Sequence, residues 1–309
     1  MRNSLTLPIA ILTGIISYFA YVNIHALDPT HHFVGTVVHC LQPMLLFAML
    51  FVSFCKVEPK QLRPRPWMLK PLVIQLLGFL LPAAAVILFP EIPYAVVLES
   101  FMICMICPTA TAASVVTSKL GGNPSVVVSY TCLINLACAL VIPCIVPLLH
   151  HNTGHLGFTD SCLLILGKVF PLLVLPLMCA ITVRYILPRF HRKVLQCKDL
   201  AFNLWAVALT LAIAVTVKAI VHSNESLLSL AMIALASLIA CVLQFWTGHR
   251  IGIHYKQPVA ATQSLGQKNT IFAIWMGYTF LSPVTALAGG FYSVWHNVIN
   301  SWQLMRSKS

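Results

Sequence analysis

Residues 261–270 read Ala-Thr-Gln-Ser-Leu-Gly-Gln-Lys-Asn-Thr, a polar island that contains a glycine and lies between two apolar runs. Its lysine, Lys268, is the most informative residue of the chain. An ammonium at the centre of a membrane-spanning helix costs about 2.5–3.5 kcal/mol on insertion scales, so an ionisable residue there is treated first as a functional site. The rest of the sequence indicates whether water or lipid surrounds this island and which kind of ligand it binds.

The composition is that of a membrane protein. Of the 309 residues, 59% are hydrophobic and only 8% are charged, too few to cover a water-exposed surface. Apolar stretches of about 20 residues, the length that crosses the hydrocarbon of a bilayer, recur along the chain. The first stretch, from Leu5 to Val22, is interpreted as a span rather than a signal peptide, because no small-residue cleavage site follows it before Asp28.

The hydropathy pattern predicts an all-α membrane protein with ten transmembrane helices, at residues 5–23, 36–55, 68–89, 93–118, 123–149, 160–187, 199–220, 226–248, 258–281 and 283–304. The fourth and ninth spans are interrupted. Ten spans divide into two repeats of five, residues 1–155 and 156–309, and an odd number of spans per repeat gives the repeats opposite orientations. This pattern is typical of secondary transporters that bind their substrate near the bilayer midplane.

Lysine and arginine predict the orientation. Of the 19 basic residues, all but Lys168, Lys218 and Lys268 fall in segments that face the cytoplasm if the N-terminus is inside. The loops 23–35 and 150–159, which would then be external, contain none. Both termini are therefore predicted to be cytoplasmic, in the plasma (inner) membrane. The net charge of +12 is an orientation signal and does not indicate nucleic-acid binding.

The two interruptions have a chemical meaning. The fourth span contains Cys104-Met-Ile-Cys-Pro-Thr-Ala-Thr-Ala-Ala-Ser114, in which Pro108 lacks a backbone donor and nearby hydroxyls can bond to freed carbonyls. Broken backbone at membrane depth persists only where it lines a cavity or is buried in protein. Two breaks predict one shared cavity, where the N-termini of half-helices favour an anion and carbonyl ends favour a cation.

Several segments resemble the bile acid:sodium symporter family over almost the whole chain: Cys107-Pro108, Thr111-Ala112, Gly122-Asn123, Gly266-x-x-Asn269 and Phe291-Tyr-Ser-Val-Trp-His-Asn297. The last of these is the most specific. The resemblance implies a core domain with two crossed broken helices and a panel domain of spans one, two, six and seven, interleaved in sequence. It also implies transport of organic anions, such as bile acids and smaller carboxylates, together with sodium.

The chain departs from this family at the residues that the resemblance assigns to sodium. Sodium-coupled members typically have Pro-Gly-Gly-x-Ala-Ser-Asn at the first break and Glu-x-Gly-x-Gln-Asn at the second. Here an asparagine is replaced by Ser114, the carboxylate by Ser264 and a glutamine by Lys268. Because a hard cation needs oxygen ligands and an ammonium repels it, no sodium partner is expected.

The sequence therefore predicts a secondary transporter of organic anions that works by alternating access. A lysine withdrawn from water can release its proton near neutral pH, which makes Lys268 a candidate for proton coupling. The alternatives are a sodium-coupled symporter of bile acids or other organic acids, and an uncoupled facilitator or sensor. An enzyme is not expected, because the spans contain no paired acid–base or metal-ligand residues; no cofactor, metal or nucleic-acid partner is predicted.

The candidate binding residues for substrate or ion are Lys268, Thr109, Thr111, Ser114, Thr131, Ser264, Gln267, Asn269 and Asn297. The candidates for proton linkage are Lys268, Glu99 and His296. Glu99 is interpreted either as a residue that faces the panel or as one that reaches the interface from a span end. For His296, packing is favoured over proton transfer, and Lys168 is interpreted as structural.

The cysteines are interpreted as small buried apolar residues, since Cys104-x-x-Cys107 has no second ligand pair for zinc. The histidine pairs His31-His32 and His150-His151 lie in predicted outer loops and are expected to be solvated.

Overall fold

The structure, a computed structural model, describes residues 6–24, 29–149, 157–197, 199–223 and 225–307. In these ranges the chain is helical and contains no β-strand; two residues, Thr109 and Lys268, form an isolated antiparallel bridge. The α-helices are α1 (Thr6–Asn23), α2 (His31–Cys55), α3 (Leu69–Leu88), α4 (Ala95–Ile106), α5 (Ala112–Lys119), α6 (Pro124–Leu149), α7 (Phe158–Leu173), α8 (Leu175–Ile186), α9 (Pro188–Gln196), α10 (Leu200–Val221), α11 (Leu227–His254), α12 (Pro258–Gly266), α13 (Thr270–Phe280) and α14 (Pro283–Arg306).

The helices bury one set of apolar side chains and expose another. Leu46, Phe79, Ile134 and Phe272 lie in one large buried cluster. By contrast, Leu88 on α3 is 71% exposed. A soluble helix would carry polar residues on such a face, so this distribution is what a bilayer as solvent requires.

Five helical segments are long and apolar enough to cross a membrane, or six if the bent pair α7–α8 forms one span: Phe33–Cys55, Pro66–Leu88, Pro124–Leu149, Leu200–Val221, Leu227–His254, and Phe158–Leu173 with Leu175–Ile186. Three further helical stretches are apolar but shorter, Ile9–Asn23, Ala95–Ile106 and Thr270–Phe280. Length and composition of the described helices thus support five or six spans, and the ten-span inverted repeat stays a prediction.

Helix breaks occur at both places where the sequence predicts them. Residues 107–111 separate α4 from α5, and residues 267–269 separate α12 from α13. A third, unpredicted break bends α7 against α8 by 41°. Pro176 has no N–H to donate to the carbonyl of Leu172, and its ring crowds that carbonyl. The helix is therefore interrupted at Val174, between these two residues.

α9 was not predicted as a helix. It buries His191 and Val194 and exposes its arginines. The Nε2 atom of His191 is 2.9 Å from the carbonyl oxygen of Cys55 at the end of α2. These contacts place α9 at the end of the bundle where α2 ends. We call this end the basic end, because its loops carry most of the lysines and arginines.

Candidate functional site

The two predicted breaks lie side by side and satisfy each other's backbone. The N–H of Asn269 donates to the carbonyl of Pro108 at 2.8 Å, and the N–H of Ala110 donates to the carbonyl of Gln267 at 2.9 Å. In continuous helices these two N–H groups would instead donate to the carbonyls four residues earlier in their own helix. Because buried backbone groups are almost always paired, each break allows the other to exist at this depth. We call this region, residues 107–111 and 264–269, the crossing.

Side chains add two links across the crossing. The Cys107 thiol donates to the carbonyl of Asn269, with 2.8 Å between sulfur and oxygen. The Thr109 hydroxyl donates to the carbonyl of Ser264 at 2.6 Å. The Oδ1 atom of Asn269 also accepts the N–H of Phe272 at 3.3 Å and so caps the beginning of α13. The predicted residues Thr109, Ser264 and Asn269 are thus brought together.

Four half-helix ends meet at the crossing. α4 and α12 end there with their carbonyls, and α5 and α13 begin there with their N–H groups. The ends of helices carry partial charges of opposite sign, so the crossing offers positive potential from two helix starts and negative potential from two helix ends. An anion and a cation can both be stabilised in such a place.

Lys268 lies at the crossing and is buried. Its side chain is 1% exposed, and its Nζ atom has no hydrogen-bond partner among the described residues. Three near neighbours along the chain also have a buried polar atom without a partner: Ser264 at Oγ, Gln267 at Oε1 and Asn269 at Nδ2. Unpaired buried polar groups are rare in proteins and cost free energy. Four such atoms thus lie within residues 264–269.

Gln75 supports the first break from α3, and the sequence analysis missed it. Its Nε2 atom donates to the carbonyls of Met105 at 3.1 Å and Cys107 at 3.2 Å, at the end of α4. The Tyr130 hydroxyl on α6 donates to the Oε1 atom of Gln75 at 2.6 Å. Carbonyls that lose their helical donors are thus bonded by a side chain. A glutamine in an otherwise apolar span was the available signal.

Gln244 on α11 and Tyr292 on α14 connect the two breaks. Because Pro108 has no N–H, the carbonyl of Cys104 lacks its helical donor, and Gln244 Nε2 donates to it at 3.2 Å. Gln244 Nε2 also lies 3.1 Å from the Tyr292 hydroxyl, which in turn donates to the carbonyl of Gly266 at 2.8 Å. Both glutamines therefore donate to carbonyls beside the first break, and Tyr292 supports the second. One glutamine–tyrosine pair comes from α3 and α6, the other from α11 and α14.

Comparison with known proteins gives the family. The model of the Sodium Bile acid symporter family matches residues 43–230, which is more than half of the chain. The chain belongs to the Sodium Bile acid symporter family. The matched residues include the first break and end before the second, so the family match does not reach Lys268.

One relative is the "Uncharacterized sodium-dependent transporter YocS" of Bacillus subtilis (strain 168), which is 25% identical over 201 residues. The similar region covers 63% of this chain and 59% of that protein, so the match spans less than two thirds of the relative's length. Membership of this symporter family and the long apolar helices together identify an integral membrane protein.

The other predicted binding residues have their hydrogen bonds within single helices. Ser114 donates to the carbonyl of Thr111 at 3.1 Å in the first turn of α5. Thr131 donates to the carbonyl of Val127 at 2.9 Å on α6, and Asn297 donates to its own helix α14, at the carbonyl of Ser293, at 2.6 Å. None of these bonds reaches across the crossing.

Glu99 and His296, the other candidates for proton linkage, are buried on α4 and α14. Glu99 is 5% exposed, and its Oε2 atom accepts the hydroxyl of Thr285 on α14 at 2.8 Å. The interpretation of Glu99 as a residue that reaches the interface is therefore wrong, because the carboxylate is packed inside against the last helix. His296 packs edge-on against Tyr292, with ring centroids 5.7 Å apart.

The remaining sequence hypotheses concern lysine, cysteine and histidine. The ammonium of Lys168 lies 5.8 Å from the ring centroid of Phe280, on an exposed surface. No group of three histidine, cysteine, aspartate or glutamate side chains within the described ranges is arranged to hold a metal ion. Residues 150–156 of the predicted outer loop, with its histidines, lie outside the described residues, as do the side chains of His31 and His32.

Proposed function

We propose that this chain is a secondary transporter of organic anions that works by alternating access, with the crossing as its binding centre. Family membership supports a transporter rather than an enzyme. The observation that carries the proposal is the buried Nζ atom of Lys268, which lies between two broken helices without a partner among the described residues. A buried ammonium is costly unless an anion pairs with it.

In this proposal Lys268 binds the anionic group of the substrate. An ammonium has three donors, and charge-assisted hydrogen bonds to a carboxylate or sulfonate are about twice as strong as neutral ones. The N-termini of α5 and α13 add positive potential at the same place. The side chains of Gln267 and Asn269, each with an unpaired polar atom, would contact the polar part of the anion.

We also propose that the fixed charge of Lys268 takes the place of a coupling sodium ion. The side chains that link the two breaks directly are the thiol of Cys107 and the hydroxyl of Thr109, and neither is a carboxylate. A sodium site needs several oxygen ligands and usually a carboxylate. An ammonium beside the few available oxygens would compete with the ion for them.

Sodium coupling is the second candidate. The family model is named for sodium symport, and the similar protein of Bacillus subtilis is named a sodium-dependent transporter. The unpaired oxygens of Ser264 and Gln267 are ligands that a sodium ion can use. The two candidates differ in one measurable property, the dependence of uptake on sodium.

If sodium does not drive transport, we propose that a proton gradient does, through protonation and deprotonation of Lys268. When the anion leaves, a charged Lys268 would be left buried without an acceptor, and release of its proton would avoid that cost. The titratable side chains around Lys268 are thiols: Cys104 and Cys107 beside the first break, Cys138 on α6 and Cys241 on α11.

The experiment is uptake into proteoliposomes that contain the purified full-length chain, with taurocholate and a panel of smaller carboxylates as probes. We expect uptake that is equal in sodium and in N-methyl-D-glucamine at constant ionic strength and that increases when the outside is made acidic. Uptake that needs sodium and ignores the pH gradient would establish the second candidate. Uptake that ignores both gradients would indicate an uncoupled facilitator.

We further propose the ten-span topology with both termini in the cytoplasm, which the distribution of basic residues supports. A cysteine introduced at Gln61, in the loop between α2 and α3, tests it in a background where the exposed Cys40, Cys144 and Cys197 are replaced by serine. An impermeant maleimide should label this position only after the cells are opened. Labelling of intact cells would overturn the proposed orientation.

A further inference from the structure

A cavity of ≈ 500 Å³ lies at the basic end, away from the crossing. It is lined by Lys60, Arg63 and Arg65 from the segment between α2 and α3, and by Asn123 and Ser125 from the beginning of α6. Every side chain in this lining is polar or charged. The proposed transport function uses none of these residues, so an inference about the cavity does not depend on that function.

Three positive charges face this cavity without a negative one. None of Lys60, Arg63 and Arg65 forms an ion pair in the described parts of the chain, and the acidic residue of the same segment, Glu58, is not in the lining. The three side chains are exposed on an open depression, so water and salt screen part of their mutual repulsion and the remainder opposes the arrangement. An anion between the three cations would convert the repulsion into attraction.

The opposite wall is a tight turn that cannot easily move. Gly121 has a positive φ of 78°, a conformation that glycine adopts without strain. A Cβ atom on Gly122 would come within 2.8 Å of Thr117 and 2.9 Å of Val259, so the turn packs closely against α5 and α12. The Asn123 Oδ1 atom accepts the N–H of Ser125 at 3.0 Å. The polar groups of this wall are therefore held in place opposite the cations.

We propose that this cavity binds a phosphate-bearing anion with at least two negative charges. Two arginines supply planar forks that match the oxygens of phosphate in pairs, and Lys60 supplies a third, compact charge. The beginning of the 26-residue helix α6 adds partial positive charge from the other side. A single carboxylate would leave most of the positive charge uncompensated, so a polyanion fits better.

A second cavity at the same end provides the control. It has a volume of ≈ 440 Å³ and is lined by two cations, Arg189 and Lys193, together with the side chains of Ile186, Leu187, Pro188 and Phe190. It lies on α9 and the end of α8. Removing two charges there changes the net charge of the basic end as much as removing two from the first cavity, but it leaves the proposed site intact.

The test is isothermal titration of sodium pyrophosphate into the full chain in phosphatidylcholine nanodiscs, with sodium acetate as the monoanion control. We expect the wild type to bind pyrophosphate and not acetate. The Arg63→Gln/Arg65→Gln variant should bind it at least tenfold more weakly, whereas Arg189→Gln/Lys193→Gln should match the wild type. Equal weakening in both variants, or no binding of pyrophosphate by the wild type, would overturn the proposal.

The source of the phosphate is resolved by repeating the titration in nanodiscs that contain phosphatidic acid. If a lipid headgroup is the natural ligand, phosphatidic acid should weaken pyrophosphate binding by competition, and the Arg63→Gln/Arg65→Gln variant should lose that effect. Pyrophosphate binding that is unchanged by phosphatidic acid identifies a soluble phosphate compound as the ligand. Thermal unfolding of each variant without ligand checks that the folded protein is being compared.

Discussion

The two breaks of the crossing are built alike and differ in what they leave unpaired. Gln75 and Gln244 donate to carbonyls beside the first break, Tyr292 donates to a carbonyl beside the second, and backbone hydrogen bonds join the two breaks. In the first break, residues 107–111, no fully buried side-chain polar atom lacks a partner. In the second, Gln267, Lys268 and Asn269 each have one. The common features are what a broken helix needs to exist in a membrane, and the difference supports the proposal that the ligand binds at the second break.

The largest effect is expected from Lys268→Met, which keeps the bulk of the stem and removes the charge. We expect more than a tenfold loss of anion uptake, because the substrate would lose its only fully charged partner at the crossing. The control is Lys168→Met, whose ammonium is exposed over Phe280; it should retain uptake within about twofold. If the Lys268 variant transports as well as the Lys168 variant, Lys268 is a structural residue.

Among these variants, the largest losses of stability are expected from replacing Gln75 and Gln244. Gln75→Leu leaves two buried carbonyls and the Tyr130 hydroxyl without partners, and Gln244→Leu leaves one carbonyl without its donor. An unsatisfied buried group costs about 1–3 kcal/mol, so both variants should lower the free energy of unfolding, Gln75→Leu by more. The measurement is denaturant unfolding in detergent micelles.

The matched control for both is Gln42→Leu. Gln42 is a buried glutamine on α2 whose Nε2 atom has no partner among the described residues, so its loss should change stability little. A destabilisation as large as that of Gln75→Leu would show that burial of any glutamine in this bundle has the same effect. The inferred support of the breaks would then be wrong.

A smaller effect is expected at the threonines. Thr109→Val removes the hydroxyl that joins the first break to the carbonyl of Ser264, while Thr131→Val removes one that bonds within α6. A typical hydrogen bond contributes about 1 kcal/mol, so Thr109→Val should lower the free energy of unfolding by about that amount. Thr131→Val should have less effect, because the carbonyl of Val127 keeps its helical donor. Equal losses would remove the distinction between the two hydroxyls.

The sequence predicted the positions of the breaks because their causes are local. Pro108 cannot donate a hydrogen bond, and the run Ser264 to Asn269 is polar inside an apolar segment. The family resemblance was also correct, since the family model matches residues 43–230, which contain the segments quoted from the first break and the turn after it. The segments at 266–269 and 291–297 lie outside that match. The bend at Val174 has the same kind of local cause in Pro176 and could have been predicted.

The partners of the breaks could not be predicted, because they come from distant parts of the chain. Gln75 and Gln244 bond to carbonyls 30 and 140 residues away, and no local pattern reports such a contact. The contact of Glu99 with Thr285 could not be predicted for the same reason, since Thr285 lies 186 residues further along. Among the predicted binding residues, those on the breaks were brought together, while Thr131 and Asn297 bond within their own helices.

The central claim is that the charge of Lys268 occupies the place of a coupling cation, and anion binding with and without sodium tests it most directly. The ligand is the anion of the panel that the wild type takes up fastest. Its dissociation constant is measured for the wild type and for Lys268→Gln, in sodium chloride and in choline chloride at constant ionic strength. We expect equal wild-type dissociation constants in both salts, and weaker binding by Lys268→Gln that sodium strengthens. Wild-type binding that tightens at least tenfold in sodium would contradict the claim.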